Sequence, residues 1–166
     1  MPENSNPIIE TPITLAGKIM EFAGVLLLIA FWVYTLSHFE QLPDIIPTHF
    51  RTNGDIDGYG SKWSIIFLPI VGTLMYLGLT VVRYPHKMNY LVTITEANAK
   101  KQYLIVISMF RMLKMAIVIV FFLIAFETIQ LAMGFPDVLG KWFLLLVTAL
   151  VMGPVFCYLI IPSKNA

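Results

Sequence analysis

The chain has 166 residues, 58% hydrophobic and 13% charged, with a mean hydropathy of +0.79 and a formal net charge of +1. Soluble domains carry about 25% charged and about 45–50% apolar residues, so the composition argues against a water-soluble fold, and the absence of a basic face argues against a nucleic-acid partner. A single cysteine, Cys157, excludes an internal disulfide and any multi-cysteine zinc or iron–sulfur centre.

Met1 to Gly17 is polar, with Glu3 and Glu10 where a signal peptide carries positive charge, and no small-residue cleavage site follows. The first apolar run, about residues 19–36, is therefore expected to be retained as a helix. Further runs cover about 63–82, 103–131 and 139–161. Crossing a hydrocarbon core of about 30 Å takes roughly 20 helical residues. Unbroken runs of this length show no alternating barrel pattern. The expected fold is all-α: one integral membrane domain over residues 1–166, a four-helix bundle with an ordered extracytoplasmic loop at 38–62 and an inner loop at 83–102.

Lysine and arginine set the orientation. With the second loop inside, that side holds six, Lys18, Arg83, Lys87, Lys100, Lys101 and Lys164, against three outside, Arg51, Lys62 and Lys141. Basic residues near span ends stay cytoplasmic, so both termini are expected inside. This arrangement places Trp32, Trp63 and Trp142 at one outer boundary.

The first loop, His38 to Lys62, has 25 residues, whereas structureless loops beyond about 12–15 residues are uncommon unless functional or disordered. Its Leu, Ile, Phe and Tyr content argues against disorder. Pro43 and Pro47 favour extended backbone, and Asn53-Gly54 and Asp57-Gly58 are turn signals. The expectation is a small folded cap. Asn53, Asp55, Asp57 and Gly58 fit the opening of a calcium loop, but Ser64 stands where its closing bidentate Glu is needed. His49 with His38, Asp44 or Asp57 offers the imidazole and carboxylate donors that suit a divalent metal. The competing expectation is that the three aspartates accept hydrogen bonds in turns. No catalytic motif is present, so no enzyme and no obligatory cofactor are expected; the alternatives are a metal-dependent membrane enzyme or transporter using His49 with the loop carboxylates, and a scaffold subunit without chemistry.

Within the third run, Arg111 and Lys114 share one helical face, and Glu21 lies at matching depth in the first. The expectations are an ion pair tying the two helices or snorkelling of the long side chains to the interface. Glu127 lies 16 residues beyond Arg111, about 24 Å along the axis. It is expected beneath the cap, facing an outer cavity or paired with Lys62, Arg51 or Lys141. Pro69 and Gly153-Pro154 should bend helices, and Gly72 and Gly78 allow close approach. Thr93-x-x-Glu96 resembles a capping box opening the third helix.

The first loop also resembles a known family. Leu42-Pro43-Asp44-Ile45-Ile46-Pro47-Thr48-His49-Phe50, then Gly54, Asp57 and Tyr59-Gly60-Ser61-Lys62, is similar to the signature loop of the front membrane domain of SdpI-type bacterial immunity proteins. Pro85, Lys87, Asn89-Tyr90, Val92, Ile94-Thr95-Glu96, Asn98-Ala99 and Gln102-Tyr103 resemble the stretch leading into that domain's third helix. Arg51 and Ile56 depart from the pattern, where Asn and Pro are frequent. The resemblance covers about Phe31 to Lys114. It implies a multi-pass bacterial cytoplasmic membrane protein that protects against a secreted toxic peptide and reports to a cytosolic regulator. The expected partners are thus the bilayer, an extracellular peptide, and a regulator or second copy of the chain. The expected contact residues are Leu42, Pro43, Asp44, Pro47, His49, Gly54, Asp57 and Lys62, with Glu127 beneath.

Overall fold

The computed structural model describes residues 6–51, 54–80, 85–137 and 140–163. Four helices and one hairpin follow one another: α1 (Leu15–Phe39), β1 (Ile45–Phe50), β2 (Ile56–Ser61), α2 (Ser64–Thr80), α3 (Ala99–Ala132) and α4 (Phe143–Ser163), with short 3-10 turns at Pro85–Lys87 and Gly140–Trp142. α1, α3 and α4 are long and apolar enough to cross a membrane; α2 is a shorter apolar helix of 17 residues. The all-α expectation is corrected by the two-stranded antiparallel sheet. Pro47 fixes an extended φ, and the Ile-rich strand gains a buried face at Ile46, so pairing was favoured over an irregular cap.

α3 is the central element, packing against α1, α2, α4 and β1. Side-chain contacts give the directions. Trp32 meets Thr73 and Glu21 meets Tyr76, so α1 and α2 are antiparallel. Glu21 meets Arg111 and Phe31 meets Phe122, so α1 and α3 are parallel. The hairpin therefore shares one end of the molecule with the turn after α3, and the loop before α3 shares the other with the start of α1.

The buried positions of α1 are Gly17, Gly24, Phe31 and Thr35. The first three recur every seven residues, giving one narrow seam in a helix otherwise apolar all round. Phe31, fully buried, stands edge-on to Phe122 with ring centroids 5.5 Å apart, and a Cβ on Gly72 would touch its ring at 3.4 Å. Gly72 thus marks a close helix contact as expected. Gly78 does not: a Cβ there meets nothing within 4 Å.

Two further expectations are corrected. Thr95 and Asn98, not Thr93 and Glu96, form the reciprocal turn before α3: the Thr95 amide donates to Asn98 Oδ1 at 2.9 Å and the Asn98 amide to Thr95 Oγ1 at 3.4 Å. Asn98 has the shorter side chain that fits this tight turn, and α3 begins at Ala99. Trp63 and Trp142 are 65% and 66% exposed at the hairpin end, but Trp32 lies deeper. Its indole Nε1 donates to Thr73 at 3.0 Å, nine residues into α2 and so about 13 Å along that helix. A hydroxyl partner away from the interface outweighed the interfacial preference of the indole.

Candidate functional site

The hairpin end is built on a small apolar platform. Leu42, Ile46 and Ile65 join Phe31, Ala125 and Ile129 in the core, which seats β1 on α3. Leu42 is 4% exposed, and Pro47 is also buried. These two expected contact residues hold the platform and do not face outward, because the hairpin must bury an apolar face to be stable.

Two polar clamps close the hairpin. At its base the Lys62 amide donates to the Asp44 carbonyl at 2.9 Å, and Lys62 Nζ lies 3.2 Å from Asp44 Oδ1. The Lys62 ammonium also stands 5.7 Å from the Phe39 ring centroid. Near the tip, His49 Nδ1 bonds Asp57 Oδ1 and Arg51 Nε donates to Asp57 Oδ2 at 3.2 Å. The hydrogen bond from His49, reinforced by Arg51, holds the Asp57 carboxyl below its ordinary range. His49 is 74% exposed on its side chain, so its other ring nitrogen edge is available to a ligand.

The Asp57-Gly58 turn signal is overturned: both residues lie inside β2, with Gly58 paired across from His49 and Asp57 at the irregular step that follows in the ladder. A Cβ on Gly58 would come 2.8 Å from the His49 Cβ, so this glycine serves close strand approach. The turn falls instead at Arg51–Asp55, where the Gly54 amide donates to the Arg51 carbonyl at 2.9 Å and Gly54 takes φ +94°. Asn53 lies outside the described residues.

The same geometry separates the expected metal ligands. Asp44 sits on Lys62 at one end of the hairpin, while His49 and Asp57 pair near the other. Among the described residues no group of three or more His, Cys, Asp or Glu side chains is placed to hold a metal ion. The calcium-loop pattern fails for a related reason: Asp57 lies on an extended strand, which cannot wrap its oxygens around an ion.

Under the tip lies a cavity of about 210 Å³, walled by Phe50, Ile124, Leu131 and Phe143, with Arg51 and Glu127 among its polar residues. Glu127 is 9% exposed and reaches this cavity from near the end of α3, as expected of its position. Of its expected partners, Lys62 is engaged by Asp44 and Arg51 by Asp57; the Lys141 side chain lies outside the described residues. Asp137 and Gly140 complete the rim. Asp137 Oδ1 accepts from the Gly140 amide at 2.6 Å, and Gly140 takes φ +47°. This rim comes from the turn after α3, which is expected outside with the first loop but whose Asp137 and Gly140 were not expected to line a site. A cue was present in Asp137 and Gly140 at a spacing of three, a turn-capping pattern.

A second polar cluster lies toward the opposite end. Glu21 accepts from Arg111 Nε at 3.1 Å and from Lys114 Nζ at 2.5 Å. Lys114 also donates to Thr80 Oγ1 at 2.9 Å and stands 4.5 Å from the Tyr76 ring centroid. The Tyr76 hydroxyl donates to the Glu21 carbonyl at 3.2 Å. The Lys114 side chain is 3% exposed, so it is tied across the helices and does not snorkel. Sequence reading missed Tyr76 and Thr80 and the two small positions that admit the cluster. A Cβ on Gly17 would lie 2.6 Å from Arg111 Nη1, and one on Gly24 would lie 2.7 Å from the Tyr76 hydroxyl. The signal was Gly17, Glu21 and Gly24 at spacings of four and three, one helical face.

Comparison with known proteins follows this division. Residues 26–73 match the family model described as "Domain of unknown function (DUF1648)". The match spans the second half of α1, the hairpin and the first half of α2, hence the platform and both clamps. An uncharacterized protein of Archaeoglobus fulgidus is 31% identical over 88 residues, covering 48% of this chain and 48% of the relative. The chain thus spans about half the length of the curated relative it matches. No solved structure matches it.

Proposed function

We propose that this is a four-span protein of a bacterial cytoplasmic membrane, with both termini inside, whose hairpin end recognises an extracellular peptide and protects the cell against it. The observation that carries this reading is the pairing of an exposed polar tip, His49, Asp57 and Arg51, with an apolar cavity directly beneath it. A peptide offers both chemistries at once: backbone and polar side chains for the tip, and an apolar side chain for the cavity. The resemblance of the 42–62 loop to SdpI-type immunity proteins supports the same class, and the six-to-three distribution of basic residues supports the orientation. The 17 helical residues of α2 fall at the short end of the spanning range.

The test is survival under secreted peptide toxins. Deletion of the gene should lower the lethal concentration, and complementation should succeed with the wild type but fail with His49→Ala and with the cavity-filling Leu131→Trp. Equal survival of deleted and complemented cells against every peptide tried would refute the proposal. Orientation is tested separately with a cysteine at Tyr59, which is 65% exposed, in a Cys157-free background. A thiol reagent that cannot cross lipid should label it in intact cells; labelling only after lysis would place the hairpin inside.

A further inference from the structure

The cluster around Glu21 carries more positive charge than its own carboxylate balances. Two cations, Arg111 and Lys114, share one anion. Lys114 is satisfied, with Glu21, Thr80 and the Tyr76 face around its ammonium. The surplus therefore rests on Arg111. Its Nε is spent on Glu21, and among the described residues its two Nη groups meet no hydrogen-bond acceptor. The Arg111 side chain is 11% exposed, which leaves a small part of it at the molecular surface.

The guanidinium lies against the first turn of α1. A Cβ on Gly17 would come 2.6 Å from Nη1 and 2.9 Å from Cζ, so the glycine leaves the notch the arginine fills. This is an unfavourable place for an unbalanced cation. A helix start carries partial positive charge, α1 has no acidic residue in its first turn, and Lys18 stands exposed one residue beyond the notch. Three positive sources thus converge where, among the described residues, one carboxylate is paired with them. The exposed Leu15, Ile19 and Phe22 of the same helix segment place the notch where the apolar surface begins. At that level the anions a bilayer presents are lipid phosphates, and a planar guanidinium whose Nη1–Nη2 edge remains after Nε is engaged by Glu21 fits two phosphate oxygens in a fork.

We propose that Arg111, seated in the Gly17 notch at the start of α1, binds the phosphate of an anionic membrane lipid, which completes the charge balance of the Glu21 cluster. The site is separate from the hairpin end and does not depend on the function proposed for it.

The test uses the full chain purified in detergent micelles, with phosphatidylglycerol or phosphatidylcholine added and retained lipid counted by native mass spectrometry. The wild type should retain phosphatidylglycerol in preference to phosphatidylcholine by roughly tenfold, the scale of one charge-assisted contact. Arg111→Gln should bring the ratio close to one. Glu21→Gln should move it the opposite way, because removing the carboxylate that Arg111 and Lys114 share enlarges the surplus; this variant carries the test alone if Arg111→Gln does not fold. Lys100→Gln, an exposed basic residue at the same end, should leave the ratio unchanged. No preference in the wild type, an unchanged ratio in Arg111→Gln, or a ratio lost equally in Lys100→Gln would overturn the proposal. Displacement of phosphatidylglycerol by an equal concentration of inorganic phosphate would overturn the lipid as ligand, identifying a free anion instead.

Discussion

Replacing Glu21 by Leu strips the one carboxylate from between Arg111 and Lys114 and raises the local charge from +1 to +2. Two contacts are lost, at 3.1 and 2.5 Å, and the cations left behind are 11% and 3% exposed. Breaking a buried ion pair from one side costs roughly 3–5 kcal/mol, chiefly because the remaining charge stays buried. Glu21 is itself 33% exposed, and partial hydration of an ion pair weakens it, which argues for the lower end, about 3 kcal/mol. An ordinary interhelical hydrogen bond in a membrane protein contributes only about 0.6 kcal/mol, so the two cases are well separated. The assay is unfolding by SDS titration in mixed micelles, followed by tryptophan fluorescence. The companion variant replaces all three residues at once, Glu21→Leu, Arg111→Met and Lys114→Met, and should recover wild-type stability or better, since apolar replacements of buried ion groups are neutral to stabilising. A loss below about 1 kcal/mol in the single variant, or a triple variant no better than the single, would refute an ion-pair tie between α1 and α3.

Phe31→Ala should cost about 2 kcal/mol in the same titration. Lipid is as apolar as the core, so only the cavity contribution remains, about 24 cal/mol per Å³ over roughly 100 Å³; no loss would mean that the α1 seam is not packed as described. Gly17→Leu should destabilise by about 1–3 kcal/mol through its clash with Arg111, while Gly78→Leu, with open space around it, should be close to neutral. Equal effects at the two positions would contradict the notch. The Asp57 carboxyl, lowered by its hydrogen bond from His49 and by Arg51, should titrate below its ordinary value of 3.8 when followed by carbon-13 NMR. Because the folded value is the depressed one, its contribution to hairpin order is present above the unfolded value and lost as pH falls through the folded value. His49→Ala should raise that midpoint, and an unchanged midpoint would remove the clamp.

Much of the candidate site was legible because proline fixes its own φ and glycine admits the positive φ that turns require. Pro43 and Pro47 announced extended chain, and Asn53-Gly54 announced a turn that Gly54 takes at φ +94°. The hairpin itself was not legible. Pairing of β1 with β2 depends on a platform of Leu42, Ile46 and Ile65 against Ile129, residues up to 87 positions apart in the chain. Asp57-Gly58 misled for the same reason: a strand partner at His49 captured a dipeptide that would otherwise turn. Asp44, His49 and Asp57 read as one ligand set because spacing says nothing about which end of a strand pair a side chain occupies. Arg111, Lys114 and Glu21 were matched by depth alone, whereas Tyr76 and Thr80 entered only through the packing of α2.

Residue by residue, apolar run length determined the helices, because an unpaired backbone in lipid is so costly that about twenty apolar residues have one available conformation. It determined also that charges at depth would need partners. Which partners they found was a tertiary matter, since lysine and arginine reach roughly a turn in either direction along a helix, and the glycine notches of α1 together with Tyr76 and Thr80 of α2 decide which acceptor is met. The same holds at the other end, where the cavity under the hairpin exists because α3, α4 and the strand pair meet there, a coincidence of three distant segments that no local pattern encodes.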